Sequence, residues 1–227
     1  MFVYEIKGKI GITFKDDAPV DFPEYLIEVD KENQKVTLNG QSISPMQVIT
    51  LSEDVEYETS TEINAPVAIQ LNGNNISIPN DVNGDGVYRV VKGGYLTISG
   101  EGTINGVGKN EYNMAIWADG GKVVINGGTF TNKGAVGNDN SHFDLIYVKD
   151  GGEVEINGGT FICETPKWTL NSNDTKPGKI IVKGGTFYKY NPSNSYTEPT
   201  SDGGPVSFVP DGYKVVEDGD YFTVVRV

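Results

Sequence analysis

The chain has 227 residues, 18 basic against 31 acidic, for a formal net charge of −13. That balance excludes duplex nucleic acid and an anionic membrane surface as main partners, since both are polyanions held through Lys and Arg. It also disfavours a strongly acidic polymer as ligand. One cysteine, Cys163, rules out an internal disulfide, and no apolar run reaches the ~20 residues of a membrane-spanning helix.

Residues 1–50 follow no repeat. Residues 2–14 alternate loosely and predict one or two strands; Pro19 and Pro23 then deny helix to an extended connector. Residues 25–29 and 35–38 flank a polar turn and predict a hairpin, and Asn39-Gly40 turns the chain into a further short strand. This gives a small all-β head at 1–50, close to the size at which independent stability fails, so it is expected to dock on something else or to trimerise. The first residues lack a basic region followed by an unbroken apolar one, so no Sec export signal is predicted.

From residue 51 a repeat takes over, with residues 46–68 as a lead-in. Gly-Gly-Lys-Val-Val-Ile-Asn-Gly-Gly-Thr-Phe at 120–130 recurs as Gly-Gly-Glu-Val-Glu-Ile-Asn-Gly-Gly-Thr-Phe at 151–161, and more loosely at 69–76, 93–104 and 178–187. The closing apolar residue falls at 76, 104, 130, 161 and 187, so the steps are 28, 26, 31 and 26 residues. Short alternating strands at such a step mean stacked coils, each burying its apolar face only against its neighbours.

The alternation sorts the side chains. Leu96, Val123, Val154 and Ile180 form one inward file; Ile98, Ile125, Ile156 and Val182 form a second. Ile104, Phe130, Phe161 and Phe187 form a third, which stacks aromatic rings along the axis. Thr97, Val124, Glu155 and Ile181 face out. Counting back from Gly93, Gly120 and Gly151 aligns Tyr88, Ala115 and Ile146, then Val90, Trp117 and Val148, all expected inside, with Ile116 outside and Trp117 a core filler. Asn72, Asn126 and Asn157 occupy one corner, where Asn tolerates left-handed backbone and bonds between coils.

The repeated Asn-Gly-Gly-Thr-Phe after Val-Val-Ile or Val-Glu-Ile resembles the right-handed parallel β-helix of the pectate-lyase-like group, over residues 61–188. That group includes polysaccharide lyases, surface sugar-binding proteins, and bacteriophage tailspikes and fibres. The expected fold is all-β: a right-handed parallel β-helix of about five to six coils at 51–190, with a strand cap at 191–227.

Loops at 105–113, 131–143 and 164–177 leave the coils and are expected to gather on one side, where binding surfaces form. Lys109, Tyr112, Asn138, Asp139, His142 and above all Trp168 are the glycan-contact candidates, with packing of Trp168 between subunits as the alternative. Asp81, Asn83 and Asp85 match the start of a calcium loop, but Arg89 and Lys92 stand at its ninth and twelfth places, so no metal is predicted. A glycosidase needs two carboxylates about 5–10 Å apart across a cleft. Asp119 and Asp150, aligned on successive coils, are the nearest approach, and charge pairing explains that corner as well. No catalytic residue and no cofactor is predicted.

The leading expectation is a virion appendage (head fibre, capsid decoration or short tail fibre) in the bacteriophage manner. It would be a homotrimer, attached to other virion proteins by its head and touching host-surface polysaccharide. A tailspike-like depolymerase and a bacterial surface carbohydrate-binding module are the alternatives.

Overall fold

The computed structural model describes residues 46–78, 86–106, 114–132, 143–173, 175–195 and 206–227, and before them the backbone of five short strands. The chain divides into two compact units, Met1–Gln47 and Val48–Val227. In the first, Val3–Ile6 pairs antiparallel with Ile10–Thr13, and Ile27–Asp30, Lys35–Leu38 and Gln41–Ile43 form an antiparallel three-stranded sheet.

The second unit is a parallel β-solenoid with three sheets as walls. Thr61–Ile63, Tyr88–Val91, Ile116–Asp119, Ile146–Lys149 and Leu170–Ser172 build a five-stranded sheet. Gln47–Thr50, Pro66–Gln70, Tyr95–Ser99, Lys122–Ile125, Glu153–Ile156 and Lys179–Val182 build a six-stranded one. Val55–Glu56, Ile76–Ile78, Thr103–Gly106, Thr129–Thr131, Thr160–Ile162 and Thr186–Tyr188 build the third, which two cap strands extend to eight. The five-stranded wall takes four stacking steps, so the solenoid makes about four turns, fewer than the five to six coils expected. The difference lies at the start of the lead-in, where residues 46–56 supply a strand to only two of the walls.

The core follows from the period-two alternation. Leu96 pairs in register with Val123, Ile98 with Ile125, and Val154 with Ile180, and all are buried. The Phe file stacks as its spacing requires: Phe130 to Phe161 at 5.1 Å and 9°, Phe161 to Phe187 at 4.7 Å and 10°. Burying each such ring contributes about 1.5–3 kcal/mol, and the gain exists only when the next turn is present.

The cap engages the ends of two walls, and Tyr190, just before it, engages the third. Tyr213–Asp218 and Tyr221–Arg226 form a hairpin whose second strand runs antiparallel to Thr186–Tyr188, placing Phe222 opposite Phe187. The Val182 N–H donates to the Phe208 carbonyl at 2.9 Å, and the buried Tyr190 hydroxyl donates to the Leu170 carbonyl at 3.2 Å. Burial drives the Tyr190 pKa well above the usual phenol range, so this donor stays protonated. An open sheet end is a template for pairing with other chains, and these contacts close it.

Two expectations change. Trp117 faces out and Ile116 is buried, because Arg89, Trp117 and Tyr147 share one register while Tyr88, Ile116 and Ile146 share the next. Residues 92–94 and 150–152 form three-residue corners, but the equivalent corner has only Gly120 and Gly121, so counting back from its glycines misplaces the strand by one. At the Asn corner only Asn72 takes a positive φ, of 53°. Asn126 and Asn157 do not, since Gly128 and Gly159 carry that conformation, and Asn157 Nδ2 instead donates to Asn126 Oδ1 across the coils at 3.1 Å.

Candidate functional site

The outer face of the five-stranded sheet collects large polar and aromatic side chains. Parallel register stacks Arg89, Trp117 and Tyr147, with Cζ of Arg89 4.6 Å from the Trp117 ring centre and the two rings 6.0 Å apart. Arg89 Nε also donates to Asp119 Oδ2 at 2.9 Å, and Asn173 Nδ2 donates to the Tyr147 hydroxyl at 2.8 Å. The Trp117 Nε1 is buried and has no hydrogen-bond partner among the described residues. This ladder holds its cation and its rings against each other.

Asp119 and Asp150, aligned by sequence, do not form a carboxylate pair. The short Gly120-Gly121 corner sets Asp119 beside Lys149 in register. Asp119 takes Arg89, and Asp150 lies 3.9 Å from Lys149 and 3.5 Å from Lys176. On the six-stranded face Lys122 meets Glu153 at 3.0 Å and Lys183 meets Glu155 at 2.7 Å. The Lys183 hydrogen bond holds Glu155 below the usual carboxylate range.

At the corner before the five-stranded sheet lies a buried polar cluster. Asn132 Nδ2 donates to the carbonyls of Phe143 and Asp144, its Oδ1 accepts from the Glu164 N–H at 2.7 Å, and Asn171 Nδ2 donates to Asp144 Oδ1 at 3.0 Å. Cys163 Sγ donates to the Phe143 carbonyl at 2.8 Å. Burial pushes its thiol up from 9.0 to about 12. A structural thiol of this kind should resist alkylation at pH 8 in the native protein and react fully once unfolded. Between pH 9 and 12 only the unfolded chain loses that proton, so Cys163's contribution to stability is complete below about 9 and falls as pH rises through 12.

Beside this cluster opens a groove of about 640 Å³, at the capped end of the solenoid. Ile162, Glu164 and Pro166 reach it from the segment that leaves Thr160–Ile162; Tyr188 and Lys189 reach it one turn later, and Tyr221 from the cap. Antiparallel register puts Tyr188 opposite Tyr221, with ring centres 5.4 Å apart and planes at 54°. Lys189 has a left-handed backbone, φ 51°, fixed where its N–H donates to the Asp220 carbonyl at 2.7 Å. Its Nζ lies 5.2 Å from the Tyr188 ring centre and 3.5 Å from Asp220, and the Tyr188 hydroxyl and then Asp220 raise its pKa. A smaller groove of about 420 Å³ runs along the Gly-rich corner, past Asn126, Thr129 and Thr160.

Of the sequence candidates, Trp168 is half-buried on the short 3-10 turn Pro166–Trp168, with Lys167 Nζ 5.2 Å from its ring centre; that turn also brings Pro166 to the groove. Lys109, Tyr112, Asn138, Asp139 and His142 lie outside the described residues, as do Asp81, Asn83 and Asp85. Among the described residues no group of three or more His, Cys, Asp and Glu is arranged to hold a metal ion. Tyr188 and Tyr221 were not singled out by sequence, because their meeting depends on how the cap docks.

The fold places the chain among parallel β-solenoid proteins. No family model matches it, and no solved structure matches it. Mouse teneurin-1 is 31% identical over 96 residues, which are 41% of this chain and 4% of teneurin-1.

Proposed function

We propose that the protein is a non-catalytic structural appendage of a virion, attached through its N-terminal unit and presenting the solenoid outward to touch host-surface glycans. The observation that carries the reading is the disposition of charge on the coil walls. Asp119, Asp150, Glu153 and Glu155 each meet a Lys or Arg of a neighbouring turn or corner, which ties turns together. Hydrolysis of a glycosidic bond asks for the opposite arrangement, two carboxylates facing each other across a cleft. The capped end supports the same reading, since it leaves a finished tip with an aromatic groove. Assignment to a virion rests on the resemblance of the repeat to bacteriophage fibres. Half-buried Val124 and Ile181, facing out on the six-stranded sheet, are the apolar surface a homotrimer would cover.

The test of the non-catalytic reading is incubation of the purified protein with host surface polysaccharide. Unchanged polymer length, with no new reducing or unsaturated ends, is expected. Shortened chains would overturn it in favour of a depolymerase.

A further inference from the structure

We infer that the groove at the capped end is a carbohydrate subsite for neutral pyranosides. Its role in adhesion rests on the display function proposed above; its ligand chemistry rests on the groove itself. The volume of about 640 Å³ is that of a small-molecule cleft. Tyr188 and Tyr221 pack against each other with their planes at 54°, and Tyr221 is 44% exposed although it sits in a paired strand. The exposed Tyr221 ring, beside Ile162 and Pro166, suits the apolar C–H face of a sugar chair, and Glu164 lines the same groove.

Charge selects among ligands that stack on aromatic rings. A cationic ligand is disfavoured because Lys189 Nζ already occupies the cation position near the Tyr188 ring. An acidic sugar is disfavoured because Asp220 partly neutralises that lysine, Glu164 lies in the same groove, and the whole chain carries −13. A neutral sugar meets neither obstacle. The left-handed Lys189, held by the Asp220 carbonyl, fixes the edge of the groove before any ligand arrives.

The experiment is saturation-transfer NMR of the full chain with methyl glucoside, methyl galactoside and N-acetylglucosamine, against methyl glucuronide as the acidic control. Transfer to at least one neutral sugar is expected, strongest at the ring protons of one face, with the glucuronide weaker. Tyr221→Thr keeps a strand-forming residue and should weaken binding about fivefold or more at an unchanged Tm, whereas Tyr221→Phe should retain most of it. No transfer to any of the three neutral sugars, preference for the glucuronide, or full binding by Tyr221→Thr would overturn the inference. Localisation on virions is a separate readout. Labelled particles without sugar binding would refute the subsite alone, and sugar binding by a protein missing from virions would refute the appendage alone.

Discussion

Gly121→Ala should destabilise the solenoid by about 3 kcal/mol, the upper end of what overpacking costs. A Cβ at this position would lie 2.5 Å from the Val91 carbonyl oxygen, 2.6 Å from that of Val90 and 2.7 Å from Val90 Cγ1. The two oxygens are backbone, and neither is free to retreat. The Val90 carbonyl accepts from the Gly121 N–H at 3.1 Å, and the Gly121 carbonyl accepts from the Glu153 N–H at 2.9 Å, so a shift here disturbs the turns on both sides. Gly151 provides the contrast. A Cβ there meets nothing within 4 Å, and the only demand is its φ of 77°, which Asn tolerates. Chemical denaturation of Gly121→Ala and Gly151→Asn should therefore give a large loss and a small one; equal losses would mean that close approach of the turns is not what the glycine serves.

Phe161→Ala should cost about 3–5 kcal/mol, the range for deleting a buried aromatic side chain. Phe161 is fully buried and stacked on both sides, so its removal opens a cavity and strips Phe130 and Phe187 of a ring partner each. Because stability in a solenoid is the sum of neighbour interfaces, a cavity at the centre of the file weakens two interfaces at once. Phe222, at the end of the same file and only half-buried in the cap, should lose less as alanine. Urea melts of the two variants measure the difference, and a smaller loss at Phe161 than at Phe222 would contradict the stacked-file account.

The inward files were legible because they repeat locally. Leu96, Ile98, Val123, Ile125 and the Phe positions recur with a glycine corner and period-two spacing, and the pleat does the rest. Trp117 was misplaced by reliance on the corner as a ruler when that corner is one residue short. The sequence did hold a better signal. Trp117 shares its parity with Asp119, as Tyr147 does with Lys149, so turning Trp117 inward would have carried the Asp119 carboxylate toward the core as well. The pairing of Asp119 with Asp150 failed for the same reason.

The groove is a different case. Tyr188 ends a solenoid strand and Tyr221 begins a cap strand, and nothing local announces that the hairpin folds back antiparallel to seat one on the other. Long-range docking fixed that site. Trp168, the leading loop candidate for a sugar-stacking ring, is half-buried beside Lys167, and the more exposed ring is that of Tyr221.

The proposed display on a virion fixes where the protein must be found. Immunogold labelling of purified virions with antibodies raised against residues 48–227 tests this most directly. Gold confined to the particle surface, at the head or at the tail, is the expected result. Virions that stay unlabelled while the protein is recovered elsewhere in the lysate would contradict it.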